Sequence, residues 1–302
     1  MTTARPGPTC TLSRESARLW PTPRDIPRRS PDFVFEPESI PAGFYASDPM
    51  LSLVPAALSL VFPEGERFFV ESVVRFKDEI SDPELRQRIA DFAAQEGKHS
   101  NAHLAFNAML RAQGLEVFPE LERQVKFLLR RGALTHSPAG RLAITCALEH
   151  FTAVMAEQLL TNADLREAFH PAVRGLWLWH ALEETEHKSV AFDVYEQVDG
   201  SYARRAAVML TTTLFFVGFI ALAHRRLRQA RGRARDLGAF ARTFGHFWLT
   251  PGHFRRLLPG YLRYFAPGFH PDGRDASALV REWRERLFGP DGMLREQAAQ
   301  AA

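Results

Sequence analysis

The chain has 302 residues, 46% hydrophobic and 24% charged, with a formal net charge of +3 and two cysteines. That balance is the one of a folded globular protein and excludes a fibre or a disordered tail. Cysteines at positions 10 and 146 only exclude a disulfide framework and favour an intracellular setting.

The first stretch, MTTARPGPTCTLSRESARLWPTPRD, has no apolar run followed by a small-residue cleavage site, so it does not read as a secretory signal. Its Pro, Ser and Arg content predicts a largely irregular arm over residues 1–45. The segment SDPMLSLVPAALSLVF then predicts a helix from Asp48 to about Val61. Pro63 is expected to open a second helical stretch, EGERFFVESVVRFKDEI, because proline is tolerated in a first turn and not deeper. Ser81-Asp82-Pro83-Glu84 is a restart signal, with an Asp cap, Pro at the first helical position and an acid in the first turn. That helix is expected to reach Gln113 and stop at Gly114. A further helix is predicted from Pro138 to Thr161, and another from Pro171 to Val198, closed by Asp199-Gly200. Period-2 alternation is absent, so the class is all-α.

Residues 206–223, AAVMLTTTLFFVGFIALA, are uncharged and at the lower edge of what spans a bilayer. Arginines flank both ends, which fits a span poorly. Three placements stay open: a fifth helix buried on the bundle, one lying in a membrane interface, and a span. From Arg204 to Arg263 there are twelve arginines against one acid, Asp236, a local charge of +11 that leaves −8 for the rest of the chain. The basic block beside an apolar helix points to an anionic membrane surface. Nucleic acid is not expected, since no basic-aromatic interleaving or known motif is present.

Two E-x-x-H motifs carry the chemistry, Glu96 with His99 and Glu184 with His187. Residues three apart share a helix face, so each pair presents a carboxylate and an imidazole together. Glu66 precedes the first motif by thirty residues and Glu149 the second by thirty-five, each on the preceding helix. This repeats one helix pair and reproduces the ligand set of ferritin-like dinuclear carboxylate proteins. Residues 46–200 are therefore expected to form a ferritin-like four-helix bundle holding two metal ions on Glu66, Glu96, His99, Glu149, Glu184 and His187. Residues 201–302 would add the hydrophobic helix, the basic segment and C-terminal helices.

Glu66 shares its face with Phe62, Phe69, Val70, Val73 and Val74, where an ionised carboxylate is costly unless paired or coordinated. Glu183 competes with Glu184, because it also neighbours His187; E-x-x-H spacing selects Glu184. His103, His150 and His180 are candidates for a third nitrogen ligand, an orienting group or a proton shuttle. Asp193 or Tyr195 is a candidate for holding a ligand histidine, and His270 sits in a rigid Pro-Gly-Phe-His-Pro turn.

The segments RRSPDFVF, FPEGERFF, QEGKHSNAH, ALEHFTA, WHALEETEHKSVAFDVY and PGFHP resemble the bacterial family of predicted metal-dependent hydrolases, over about Arg28 to Trp283. The resemblance implies a metal-binding role for the six ligands and a role for His103, His150 and His180. Carboxylate and imidazole donors without thiolate suit Fe first, with Mn or Zn as alternatives. The ligand set favours an O₂-dependent oxidase or oxygenase, with Glu96 and Glu184 as bridging carboxylates. The family favours hydrolysis by an activated water, and a non-enzymatic metal-binding protein is the remaining alternative. The expected substrate is a small, lipid-like molecule, and the expected location is the cytoplasm, peripheral to the inner face of the membrane.

Overall fold

A computed structural model describes residues 24–295, which are helical with no named strand. The N-terminal arm up to Pro23, Cys10 included, lies outside the described residues.

Helix α1 spans Leu53–Val74 and α2 spans Pro83–Ala112. Helices α3 (Phe118–Thr135), α4 (Pro138–Thr161) and the short α5 (Ala163–Glu167) follow. Next come α6 (Pro171–His187), α7 (Val190–Val198) and α8 (Tyr202–Ala230). The C-terminal part holds α9 (Leu237–Phe244), a π-helical turn over Gly245–Leu249, α10 (His253–Arg263) and α11 (Ser277–Phe288). Side-chain caps start several of them. Asp82 accepts from the Glu84 N–H at 2.9 Å, Ser137 from that of Gly140 at 3.1 Å and Ser201 from that of Arg204 at 3.3 Å, each satisfying an otherwise orphaned donor of the first turn.

Three elements differ from the sequence expectation. Pro63 lies inside one continuous helix, α1, and does not open a new one. A proline there deprives the Ser59 carbonyl of its helical donor, and Asn107 Nδ2 supplies a replacement from α2 at 3.2 Å. The helix expected over Pro171–Val198 is broken just after His187 into α6 and α7. Arg88 spans the break, donating to Ser189 Oγ at 2.7 Å and to Asp193 at 2.6 Å. Finally α3 is an additional helix, opened by Phe118-Pro119-Glu120, with Phe118, Leu121 and Val125 buried along one face.

Helices α1, α2, α4 and the α6–α7 pair pack on one another, with α3, α8 and α11 laid against them. Their buried apolar residues form two main clusters. On each inner helix a polar layer separates them: Phe62 from Phe69 on α1, Phe106 from Phe92 on α2, Ala156 from Cys146 on α4, and Ala181 on α6 from Val190 on α7. Glu66, Glu96, Glu149 and Glu184 all sit in that layer.

Helix α8 is long and apolar enough to cross a membrane, yet it packs on α4 and α1 along one side. Met209, Phe219, Ala223 and Leu227 are buried there, while Leu210, Leu214, Phe215, Val217 and Leu222 face outward. It is neither enclosed by the bundle nor detached from it.

Candidate metal centre

Four carboxylates and three imidazoles converge between the two apolar clusters. Glu66, Glu96, Glu149 and Glu184 are each at most 2% exposed, His99 and His187 0% and His180 4%. The donor atoms fall into groups that could each hold an ion: Glu66, His99 and His180; Glu96, His99 and Glu184; Glu96, Glu149 and His187. His187 Nε2 lies 3.4 Å from Glu96 Oε1, 3.5 Å from Glu184 Oε2 and 3.7 Å from Glu149 Oε2. On the other side His99 Nδ1 lies 3.6 Å from Glu96 Oε2 and 4.0 Å from Glu184 Oε1, and His180 Nε2 lies 3.6 Å from Glu66 Oε1. Glu96 and Glu184 each turn one oxygen towards His99 and the other towards His187.

Most of these atoms have no hydrogen-bond partner of ordinary geometry. Glu66 Oε1, both oxygens of Glu96 and of Glu149, Glu184 Oε2, His99 Nδ1 and His187 Nε2 are all buried and unsatisfied. Buried polar atoms in folded proteins are nearly always bonded, and an uncompensated buried carboxylate is costly. Donors about 2.1 Å from a shared tetrahedral ion lie about 3.4 Å from one another, close to the observed separations. The residues present therefore fit a pair of divalent cations.

The electrostatics of the cluster express the same strain. Burial pushes the carboxyls of Glu66, Glu96 and Glu149 well above the usual range, and repulsion from neighbouring carboxylates adds to it. Burial acts on Glu184 in the same direction, but His187 and His180 pull it well below that range. Burial, then the neighbouring His180, holds His99 and His103 well below the ordinary imidazole value.

An outer set of side chains fixes which ring nitrogen faces the centre. His99 Nε2 donates to Glu183 Oε2 at 3.0 Å, leaving Nδ1 inward. Glu183 is itself held by Arg29 at 3.0 Å, and burial, against the pull of Arg29, pushes its carboxyl up to about 8. The two adjacent glutamates thus take different places, Glu184 among the inward donors and Glu183 behind His99. Gln95 donates from Nε2 to the Pro27 carbonyl and to Glu186, so its Oε1 accepts from His187 Nδ1 at 2.9 Å and Nε2 is left for the centre. Glu186 is clamped in turn by Arg29 and Arg284.

A third chain ends on His180. Ser59 Oγ donates to Asn107 Oδ1 at 2.7 Å, so it accepts from His103 Nδ1 at 2.8 Å. His103 Nε2 must then accept from His180 Nδ1, at 2.7 Å. His180 is left with Nε2 facing inward, 2.8 Å from Glu184 Oε1.

His103 therefore stands one residue behind the centre. His150 is not brought to it: one residue along α4 from Glu149, about 100° around the helix, it turns outward and donates to the Gly260 carbonyl at 3.0 Å. It clasps α10, which approaches so closely that a Cβ at Gly260 would come within 2.7 Å of Val154. Asp193 pairs with Arg88 and His270, and Tyr195 donates to the Ser201 carbonyl, so neither holds a ligand histidine. Gln95, Glu183, Ser59 and Asn107 hold the rings instead. The available signal was placement: Gln95 is four residues from His99, and Ser59 and Asn107 flank the ligand layer at helical spacing.

Fold and centre together define an all-α protein with a buried carboxylate and histidine cluster suited to metal. The chain belongs to the family described as predicted metal-dependent hydrolase, which matches residues 27–275. No curated protein and no solved structure matches it significantly.

Proposed function

We propose that the chain is a dinuclear metal-dependent hydrolase of an ester or amide with an apolar acyl part. One observation carries the reading: seven inward donor residues, nearly all with unsatisfied atoms, are gathered in one buried layer at ligand spacing. The family assignment favours hydrolysis over the O₂-dependent chemistry that the ligand set put first. Glu66, His99 and His180 would hold one ion, Glu149 and His187 the other, with Glu96 and Glu184 shared between them. Divalent ions there supply Lewis-acid polarisation of a carbonyl and lower the pKa of a water towards neutrality.

The protein's own residues contribute position and dryness. Glu183, Gln95 and His103 lock the three imidazoles with one nitrogen inward, so no ring reorients when an ion enters. The chain through His103 and Ser59 ends at Asn107, 1% exposed, so it orients His180 and does not carry protons to solvent. Phe62 packs against His180 with ring centroids 4.7 Å apart, and Trp177 lines the same cavity, keeping bulk water from that edge. Hydrolysis adds hydroxyl to the acyl carbon and a proton to the departing oxygen or nitrogen.

Four carboxylates and three imidazoles without thiolate also match di-iron carboxylate bundles, which supports O₂-dependent oxidation as the second reading. The two separate in one experiment. Protein loaded with Zn or Mn is expected to hydrolyse a p-nitrophenyl ester, and Glu96→Ala is expected not to. An iron-loaded sample whose spectrum changes on adding O₂, with no hydrolysis by any loaded form, would reverse the order.

A further inference from the structure

We infer that the face built by α8, α9 and α10 docks on an anionic lipid bilayer, and that the cavity opening on it admits an alkyl chain to the metal centre. The inference names a substrate class for the proposed hydrolase and rests on that reading for its inner end.

Two cavities adjoin. The inner one, about 110 Å³, has Glu184 and His180 in its wall together with Phe62 and Trp177. The outer one, about 290 Å³, lies among α4, α8, α9 and α10 and is walled almost wholly by apolar side chains. Both share Val54, Leu58, Met155, Phe247, Phe254 and Leu257 as lining residues, so these six form the junction. A narrow apolar passage of this kind excludes a charged or strongly hydrated substrate, which would have to lose its water along the way. It suits a hydrocarbon chain.

The outer mouth opens where the surface is unusually apolar. Val217, Phe240, Phe244, Trp248 and Leu258 line the outer cavity and are each 37% to 51% exposed. On α8 the apolar row continues through Leu214 and Leu210, 72% and 59% exposed, three and seven residues before Val217 and so on its side of the helix. Contiguous apolar surface of this kind marks a contact with another phase or partner.

Charge selects the partner. Arg225 on α8, Arg235 in the α8–α9 linker and Arg255, Arg256 and Arg263 on α10 are exposed and enter no ion pair among the described residues. The other arginines of the block have partners within the protein. Arg205 donates to the Tyr264 carbonyl, Arg226 chelates Glu120 at 2.7 Å, and Arg228 donates to the Ala234 carbonyl at 2.9 Å. Exposed aromatics beside unpaired arginines fit the headgroup zone of an anionic leaflet. A span does not fit, because the buried side of α8 is fixed to α4 and α1, and crossing would carry the bundle into the bilayer.

Vesicle sedimentation tests the docking. The protein is expected to pellet with phosphatidylglycerol-containing vesicles, less in high salt, and to stay in solution with phosphatidylcholine alone. Joint replacement Phe244→Asp and Trp248→Asp is expected to abolish pelleting with metal content unchanged. Absence of pelleting, or a stable dimer that the same pair disrupts, overturns the docking, the dimer because a second copy then covers the face. For the passage, the methyl ester of cis-parinaric acid, an uncharged chain, is the probe, read by its fluorescence gain in apolar surroundings. Leu257→Trp, and separately Leu58→Phe, should weaken its binding about tenfold while melting temperature, vesicle pelleting and metal content hold. Unchanged probe affinity in both overturns the alkyl passage. Wild-type protein that binds vesicles and probe but takes up no metal would instead sink the hydrolase reading alone.

Discussion

The ligand layer and the α8–α10 face invert each other. Inside the bundle, four carboxylates at most 2% exposed lie where solvent is absent; outside, phenylalanines, leucines and a tryptophan lie where solvent is present. Each arrangement is unfavourable in the isolated chain, the first by desolvation and repulsion, the second by apolar hydration. The proposed additions, a cation within and an apolar phase without, would relieve both.

The sharpest way to break the inner half of that contrast is Glu96→Ala. Metal affinity should fall by more than about a hundredfold, beyond the loss that an outer-shell change brings, since one carboxylate faces both histidine groups. The metal-free variant should nevertheless be more stable than metal-free wild type, by about 1 kcal/mol or more, because a repelling buried acid is gone. Metal titration and paired melts check both signs. A metal-free variant that melts lower would show that Glu96 is held by something other than a cation.

Gln95→Leu and Glu183→Leu keep every inward donor and remove the ring locks. A fall in metal affinity of about 10- to 100-fold is expected for each, by competition with a chelating dye. An effect confined to melting temperature would make these residues merely structural.

pH separates the two regions by sign. Glu66, Glu96 and Glu149 have carboxyls raised above 4.5 in the metal-free fold. A raised acid contributes stability that is present below the unfolded value and is lost as pH rises through the folded one. Glu184, His99 and His103 are shifted the other way, and their opposing contribution ends once pH passes the unfolded imidazole value. Metal-free protein should therefore melt lower as pH rises above about 6.5. Metal binding requires the ionised forms, so affinity should climb over the same interval and protons should be released on loading. Calorimetry in two buffers of different ionisation enthalpy measures that release, and vesicle pelleting through arginines should be flat across it.

Asn107→Leu should act more weakly on metal while costing about 1–3 kcal/mol of stability, the penalty for an unsatisfied buried group, because the Ser59 carbonyl facing Pro63 loses its donor. Smallest of all, Phe244→Asp is expected to leave stability within about 0.5 kcal/mol, since its side chain is already half exposed.

The all-α class, the helical setting of the candidate donors and the inward choice of Glu66 were legible in the sequence, because helical periodicity and E-x-x-H spacing are local properties. So was the proximity of Glu96 to His99 and of Glu184 to His187, which needs only 3.6 residues per turn. What lay beyond the sequence depended on contacts between segments far apart in the chain. Pro63 stays inside α1 because Asn107, 44 residues on from it, replaces the missing donor. His150 turned from candidate to clasp because Gly260 lets α10 close over it. Glu183 and Gln95 became ring holders because Arg29 and the Pro27 carbonyl pin them from a segment without periodicity. The two cavities adjoin where residues of α1, α4 and α10 line both, and no single helix encodes that meeting. Spacing along one helix decides which donors are neighbours; packing between helices decides which atom of each donor faces the centre.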